Sequence, residues 1–409
     1  MKSANSGFKL SYLYVFIVFC LTFNAVKYWP LFGIMSICYG IGIMLPFIIC
    51  TGFFNTRMNK FFVFYAFVVL INHLLGDVYL SNRNSLLIGF VGFFVSMSMS
   101  YYIFTKGDYN LMRAIILTVL IVLLLNTIAT AYFNFFIPGL VRYAYGVSQL
   151  GDKDFNSLYA LGLSSYALPH AVPILIPPLV LGIKNSSLKT SQRIFTAIIL
   201  VCCIMLVYFS GAVGPLLVAL VILIMSFVIR RGSVRSNIVI IFLGFMMAVL
   251  FILSDNLMLN ALGMFDDFIG REGYFHNKVV DFENSIIYGS ASGDVENRGI
   301  LYRTTINAIF EHPLFGAQDG LGGHSALMDR FAALGLVGFI PFVAMLVSQI
   351  SYVLKNLPSQ IHIYYYMSLV AALVMLISKN IAGWSMWFFL FAALPFLLVY
   401  YSDANICDG

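Results

Sequence analysis

The chain has 409 residues and a formal net charge of +6, with 61% hydrophobic, 16% aromatic and 10% charged side chains. A soluble globular chain carries about 25% charged residues, and one as apolar as this cannot cover a folded surface with polar groups, which excludes a soluble protein. The 23 Lys and Arg are scattered, with no basic run longer than Arg230-Arg231, so the positive balance points to orientation in a membrane and away from nucleic acid.

A membrane-spanning helix needs about 20 mostly apolar residues. In chain order the runs that meet this are 10–28, 31–52, 61–80, 86–104, 111–136, 166–183, 194–209, 212–229, 238–253, 331–354, 361–378 and 381–401. They predict an all-α, polytopic integral membrane bundle of about twelve helices, a single domain over residues 1–409. The first run follows Lys2 and Lys9, ends at Lys27-Tyr28-Trp29-Pro30 and lacks a small-residue cleavage site, so it reads as an uncleaved span and not a signal peptide. Ser210-Gly211-Ala212-Val213-Gly214-Pro215 interrupts the pair 194–229 as a tight turn or a broken helix. Five of the six cysteines lie inside apolar runs without CxxC or Cys/His spacing, which leaves disulfide scaffolds and structural zinc unsupported.

Orientation follows from the basic residues. With the N-terminus inside, Lys2, Lys9, Arg57, Lys60, Lys106, Arg113, Lys184, Lys189, Arg193, Arg230, Arg231, Arg235 and Lys355 face the cytoplasm. Short outer loops hold only Lys27, Arg83, Arg142, Lys153 and Lys379. Both termini are then cytoplasmic. The acidic residues run the other way, with only Asp108, Asp403 and Asp408 inside.

Two outer segments concentrate the polar residues. The shorter, 137–165, carries Arg142, Asp152, Lys153 and Asp154. The longer, 254–330, is of a length usually functional or disordered. Its stretch 281–297 is rich in Ser, Gly and Asn and reads as irregular. Residues 297–311 then turn helical, because Ile300, Leu301, Ile306, Ile309 and Phe310 fall near a 3.6 period. His312-Pro313 ends that helix, and Gly316, Gly320, Gly322 and Gly323 permit tight turns.

The densest stretch is 298–338, RGILYRTTINAIFEHPLFGAQDGLGGHSALMDRFAALGLVG. It supplies Arg298, Tyr302 four residues on, an amphipathic helix, the turn Pro313-Leu314-Phe315-Gly316, then His324-Ser325 at the mouth of a span carrying Gly335-Leu336-Val337-Gly338. In that order and place the sequence resembles the O-antigen polymerase / O-antigen ligase superfamily of bacterial membrane glycosyltransferases. The close motif covers about a tenth of the chain. One departure stands out: the family often has a Ser-Arg pair at the outer end of a middle span, whereas Ser210 is followed by Gly211 here. Arg142, from the preceding outer loop, is the candidate substitute.

The resemblance implies a GT-C-like bundle in the bacterial inner membrane with a periplasmic active site. It implies an undecaprenyl-diphosphate-linked oligosaccharide donor and acceptor, and a chain-length regulator and flippase as partners. The residues lead to the same chemistry. A sugar leaving a diphosphate builds negative charge on phosphate, which arginine binds bidentately without losing its proton. The attacking hydroxyl needs a nearby base, and a histidine with a pKa of about 6.5 suits that. His324 sits where a helix begins, and the helix N-terminus favours the neutral imidazole. It is the candidate base. Arg298, Arg303, Arg142, Arg271, Tyr302, Ser325 and Asp329 are the candidate substrate- and diphosphate-binding residues. Because arginines can carry the leaving-group charge, the reading needs no metal and no cofactor.

Other polar residues read as ordinary. Arg330 is a snorkelling interface anchor. Asp329 follows Ser325 by one turn and could pair Arg330 or orient a sugar. His276 and His312 are loop histidines, and Asp266-Asp267 is a bare acidic pair. Three functions remain in play. A polymerase transfers lipid-linked glycan onto a lipid-linked repeat unit, and His-Ser in place of His-Asn favours it. A ligase on the same fold moves glycan to the lipid A core. A lipid-linked oligosaccharide flippase belongs to another class, and transporters concentrate charge near the midplane, where these spans are nearly charge-free.

Overall fold

The structure, a computed structural model, describes residues 13–22, 56–75, 80–136, 167–210, 213–229, 263–264, 266–267, 276, 279–280, 283–284, 294–317, 323, 325–379 and 384–402. The expected spans 31–52 and 238–253 and the outer loop 137–165 lie outside these. Every regular element among the described residues is helical. The helices are α1 (Leu13–Thr22), α2 (Arg57–Leu75), α3 (Leu80–Lys106), α4 (Tyr109–Phe136), α5 (Ala167–Ala171), α6 (Ile176–Lys184), α7 (Thr190–Phe209), α8 (Val213–Val228), α9 (Asp294–Glu311), α10 (Ala326–Asn356), α11 (His362–Ser378), α12 (Trp384–Phe388) and α13 (Leu394–Ser402).

Local chemistry sets the breaks. Gly107, at φ +63°, turns the chain after α3. Asp108 then caps α4 by accepting the Leu111 amide at 3.1 Å, the usual task of an N-cap carboxylate. The interruption after Phe209 separates two helices that pack on each other. Ser210 closes the first by donating its hydroxyl to the Val207 carbonyl at 2.7 Å.

Prolines break two spans inside the core, and hydroxyls repair both. Pro178 has no N–H to offer the Ile174 carbonyl four residues back, and Ser368 of α11 donates its hydroxyl there at 2.7 Å. The span 166–183 accordingly divides into α5, a 3-10 turn (Val172–Leu175) and α6. Pro395 frees the Phe391 carbonyl in the same way, and Ser100 of α3 donates to it. There the last span widens into a π-helical turn, Phe389–Ala393, between α12 and α13. Residues 386–401 are all buried, so the C-terminal span is the centre of the bundle.

The periphery is the reverse. Leu117, Ile121, Leu125 and Ile128 form an exposed apolar stripe on α4, and Ile194, Ile198, Val201 and Met205 another on α7. Among the described residues, four helices are long and apolar enough to cross a membrane: Tyr109–Phe133, Thr190–Phe209, Ala326–Asn356 and Ser359–Ser378. Shorter apolar helices cover Asn59–Ile71, Leu168–Lys184, Gly214–Val228 and Met386–Ser402. Large apolar stripes facing outward on helices of this length suit a lipid surface.

Candidate functional site

The stretch 298–338 folds as α9, a short turn and the entry to α10. The helix expected over 297–311 is present as Asp294–Glu311 and stops at His312-Pro313. The turn Pro313-Leu314-Phe315-Gly316 then docks on a break in α10. Gly335 there has φ +58° and ψ −170°, a non-helical pair inside the helix. The break releases two amides, and the turn takes both: Leu336 N–H donates to the Pro313 carbonyl at 2.9 Å and Val337 N–H to the Leu314 carbonyl at 3.1 Å. In return Ala317 N–H donates to the Ala332 carbonyl at 2.7 Å.

The two glycines are the contact itself. A Cβ on Gly316 would strike the Ala333 backbone, and one on Gly335 the Leu314 carbonyl. Both have positive φ, +81° and +58°. The sequence motifs P-L-x-G and G-x-x-G are thus halves of one structural device. The expected span 331–354 lies inside α10, which begins earlier, at Ala326, and carries the break at Gly335. Gly335→Ala is expected to cost at least about 1–3 kcal/mol from backbone conformation alone, with the collision added. Membrane-inserted protein level and detergent melting temperature should both fall. An unchanged melting temperature would mean that the break can relax without its turn.

The entry to α10 is fixed to two neighbours. Ser325 is its N-cap, accepting the Met328 amide at 3.2 Å and donating to the Leu376 carbonyl at 3.4 Å. Asp329 is 8% exposed. Its carboxylate accepts the Ser325 amide at 3.0 Å and the Thr305 hydroxyl of α9 at 2.9 Å. Ala326 N–H donates to the Lys379 carbonyl at 3.0 Å, and the Tyr302 hydroxyl to the Ser378 carbonyl at 3.0 Å. A helix end leaves its last carbonyls without intrahelical partners. Those of α11 are taken by Tyr302, Ser325 and Ala326. Three residues expected to touch substrate therefore hold α9, α10 and α11 together. Thr305, the link between Asp329 and α9, had no sequence signal beyond its place on the helix.

Arg330 departs from its expected role. It is no snorkelling anchor, for it is 4% exposed. Its Cζ lies 4.9 Å from the Phe342 ring centroid and 5.5 Å from that of Trp387. The Tyr65 hydroxyl of α2 is beside it, close enough for a side-chain hydrogen bond. In a straight helix twelve residues span about 18 Å, so the break at Gly335 is what brings Arg330 over Phe342. Among the described residues, neither Nε nor Nη1 of Arg330 has a hydrogen-bond partner. Stripping an ion of water costs several kcal/mol, on the order of 5 after relaxation. A desolvated cation–π contact returns about 2 kcal/mol. Among the described residues, no carboxylate accepts from Nε or Nη1.

The remaining candidates are placed as follows. His324, Arg142 and Arg271 lie outside the described residues, as do Asp152 and Asp154, whose Asp-x-Asp spacing is of the kind that holds a cation against phosphate. Arg298 falls in α9, with its side chain outside the described residues. Arg303 is exposed on α9, and His312 is exposed in the turn. Asp266 is not a bare acid: both its oxygens lie 2.9 Å from Nδ1 of His276. The ten-residue separation of that pair gave no periodic signal.

No protein-family model and no curated protein matches the chain. The buried polar repairs, the lipid-facing stripes and the long apolar helices define the class: this is a helical membrane protein.

Proposed function

We propose that the chain is a surface-glycan polymerase of the O-antigen type, a metal-independent glycosyltransferase of the inner membrane with about twelve spans and an outward-facing site. It transfers glycan from an undecaprenyl-diphosphate carrier to a lipid-linked repeat unit. The observation that supports this reading is the packing of residues 298–338 into one unit. Ala317 is bonded to Ala332 and Ser325 to Asp329 and Leu376. Both flanks of segment 318–324, which carries His324, are therefore held by helices, and catalytic groups concentrate where a rigid scaffold positions the chain. The Arg298 turn of α9 belongs to the same unit.

A flippase for the same lipid-linked glycan has one observation in its favour, the charge of Arg330 buried within the bundle. Deleting the gene separates the readings. Loss of a polymerase should leave core lipid bearing a single repeat unit. Loss of a ligase should leave bare core with polymer gathered on the carrier. Loss of a flippase should leave bare core and carrier-linked single units only. Glycan gels and extracted carrier lipid distinguish the three patterns, and only the first keeps the proposal.

A further inference from the structure

We propose that Arg330 is an anion-binding residue that takes the phosphoryl oxygens of an amphiphile whose apolar tail lies in the membrane. The guanidinium is buried among Tyr65, Phe342 and Trp387, with Nε and Nη1 unpartnered among the described residues. Aromatic faces answer its charge, and the Tyr65 hydroxyl is close enough to hydrogen-bond the guanidinium, but Nε and Nη1 are left without an acceptor among the described residues. Asp329, its neighbour, turns its carboxylate to Ser325 and Thr305 instead. An oxyanion with several acceptor oxygens meets both needs. The rings around Arg330 are apolar, so an anion joined to a lipid tail suits the place better than a free, hydrated one. A charge placed within a membrane bundle at such a cost is commonly a substrate contact. The donor diphosphate is the amphiphile we assign, and that assignment rests on the polymerase reading. The anion site rests only on Arg330.

The chain contains three tryptophans, Trp29, Trp384 and Trp387. Replacing Trp29 and Trp384 by Phe leaves Trp387, 5.5 Å from the guanidinium, as the only indole. Full-length protein in neutral detergent is titrated with farnesyl diphosphate, farnesol or phosphatidylglycerol micelles while Trp387 fluorescence is read. Farnesyl diphosphate should give a saturable change and farnesol none. Arg330→Met should weaken that binding about 10- to 100-fold, the loss expected for a charge-assisted hydrogen bond, with Arg330→Lys between the two. Without ligand, Arg330→Met should melt at or above the parent temperature, since a neutral side chain of similar length relieves the buried charge. Phosphatidylglycerol binding that depends on Arg330 and outcompetes farnesyl diphosphate keeps the anion site and removes the donor assignment. Undiminished farnesyl diphosphate binding by Arg330→Met, or a lower melting temperature with no Arg330-dependent binding, overturns the proposal and makes Arg330 a packing cation. The polymerase reading fails separately: Arg330-dependent binding together with an unaltered glycan ladder in the deletion strain removes it and leaves the site.

Discussion

Arg298→Ala is expected to abolish polymer while the protein still inserts at its normal level. The leaving diphosphate gains charge as the glycosidic bond breaks, and removing one electrostatic donor from such a site costs about 10²–10³-fold in rate. Position 298 lies one turn before Tyr302, whose hydroxyl is fixed to the Ser378 carbonyl at 3.0 Å. That tether sets the rotation of α9, so the turn carrying Arg298 cannot roll away from the α10 entry. Arg298→Lys should rescue poorly, because an ammonium cannot make the two parallel bonds of a guanidinium. Glycan ladders from a deletion strain carrying each variant, with protein level checked by blot, give the readout. A fully active Ala variant would take Arg298 out of the site. A fully active Lys variant would leave only charge, not geometry, as its contribution. If polymerisation in isolated membranes stops on adding a chelator, the leaving group is instead held by a cation, and Asp152 and Asp154 become its first candidate ligands.

What the sequence made legible follows from which forces act locally. The helices of the described spans were readable because lipid demands long apolar runs, and the break between 86–104 and 111–136 because the residues that interrupt an apolar run are local in the sequence. The end of α9 at His312-Pro313 was readable for the same reason. The internal divisions of the last span and of span 166–183 were not. Their prolines are local, but the hydroxyls that satisfy the freed carbonyls, Ser100 and Ser368, stand 291 and 194 residues away in the chain. The motif residues were found, but their roles were not separable from sequence. Ser325 and Asp329 look alike as site residues or as anchors until Thr305 and the end of α11 are seen beside them. Arg330 shows the same limit most sharply. Four residues past a helix start, it reads as an interface cation. Only the fold of the chain at Gly335, which lays the first turns of α10 over Phe342, puts its charge inside.

His324→Ala should slow polymerisation roughly 10²–10⁴-fold, the usual loss when a general base is removed. His324 immediately precedes Ser325, the N-cap of α10, in the chain. The two flanks of its segment are tied to α10 and α11, so the variant should remain folded, and on the proposed reading, in which arginines bind the diphosphate, donor binding should survive. His324→Gln is the decisive change: it keeps a hydrogen bond but cannot take a proton near neutral pH. A base gives short or absent ladders in both variants. A residue that only orients the acceptor gives normal ladders with Gln and short ones with Ala. In that second case Asp329 is a poor replacement base, since its carboxylate already accepts two hydrogen bonds within 3.0 Å. His276 becomes the next candidate: its Nδ1 lies 2.9 Å from Asp266, which is 8% exposed, and a carboxylate so placed fixes the orientation of the ring. His276→Gln should then be the variant that loses the ladder.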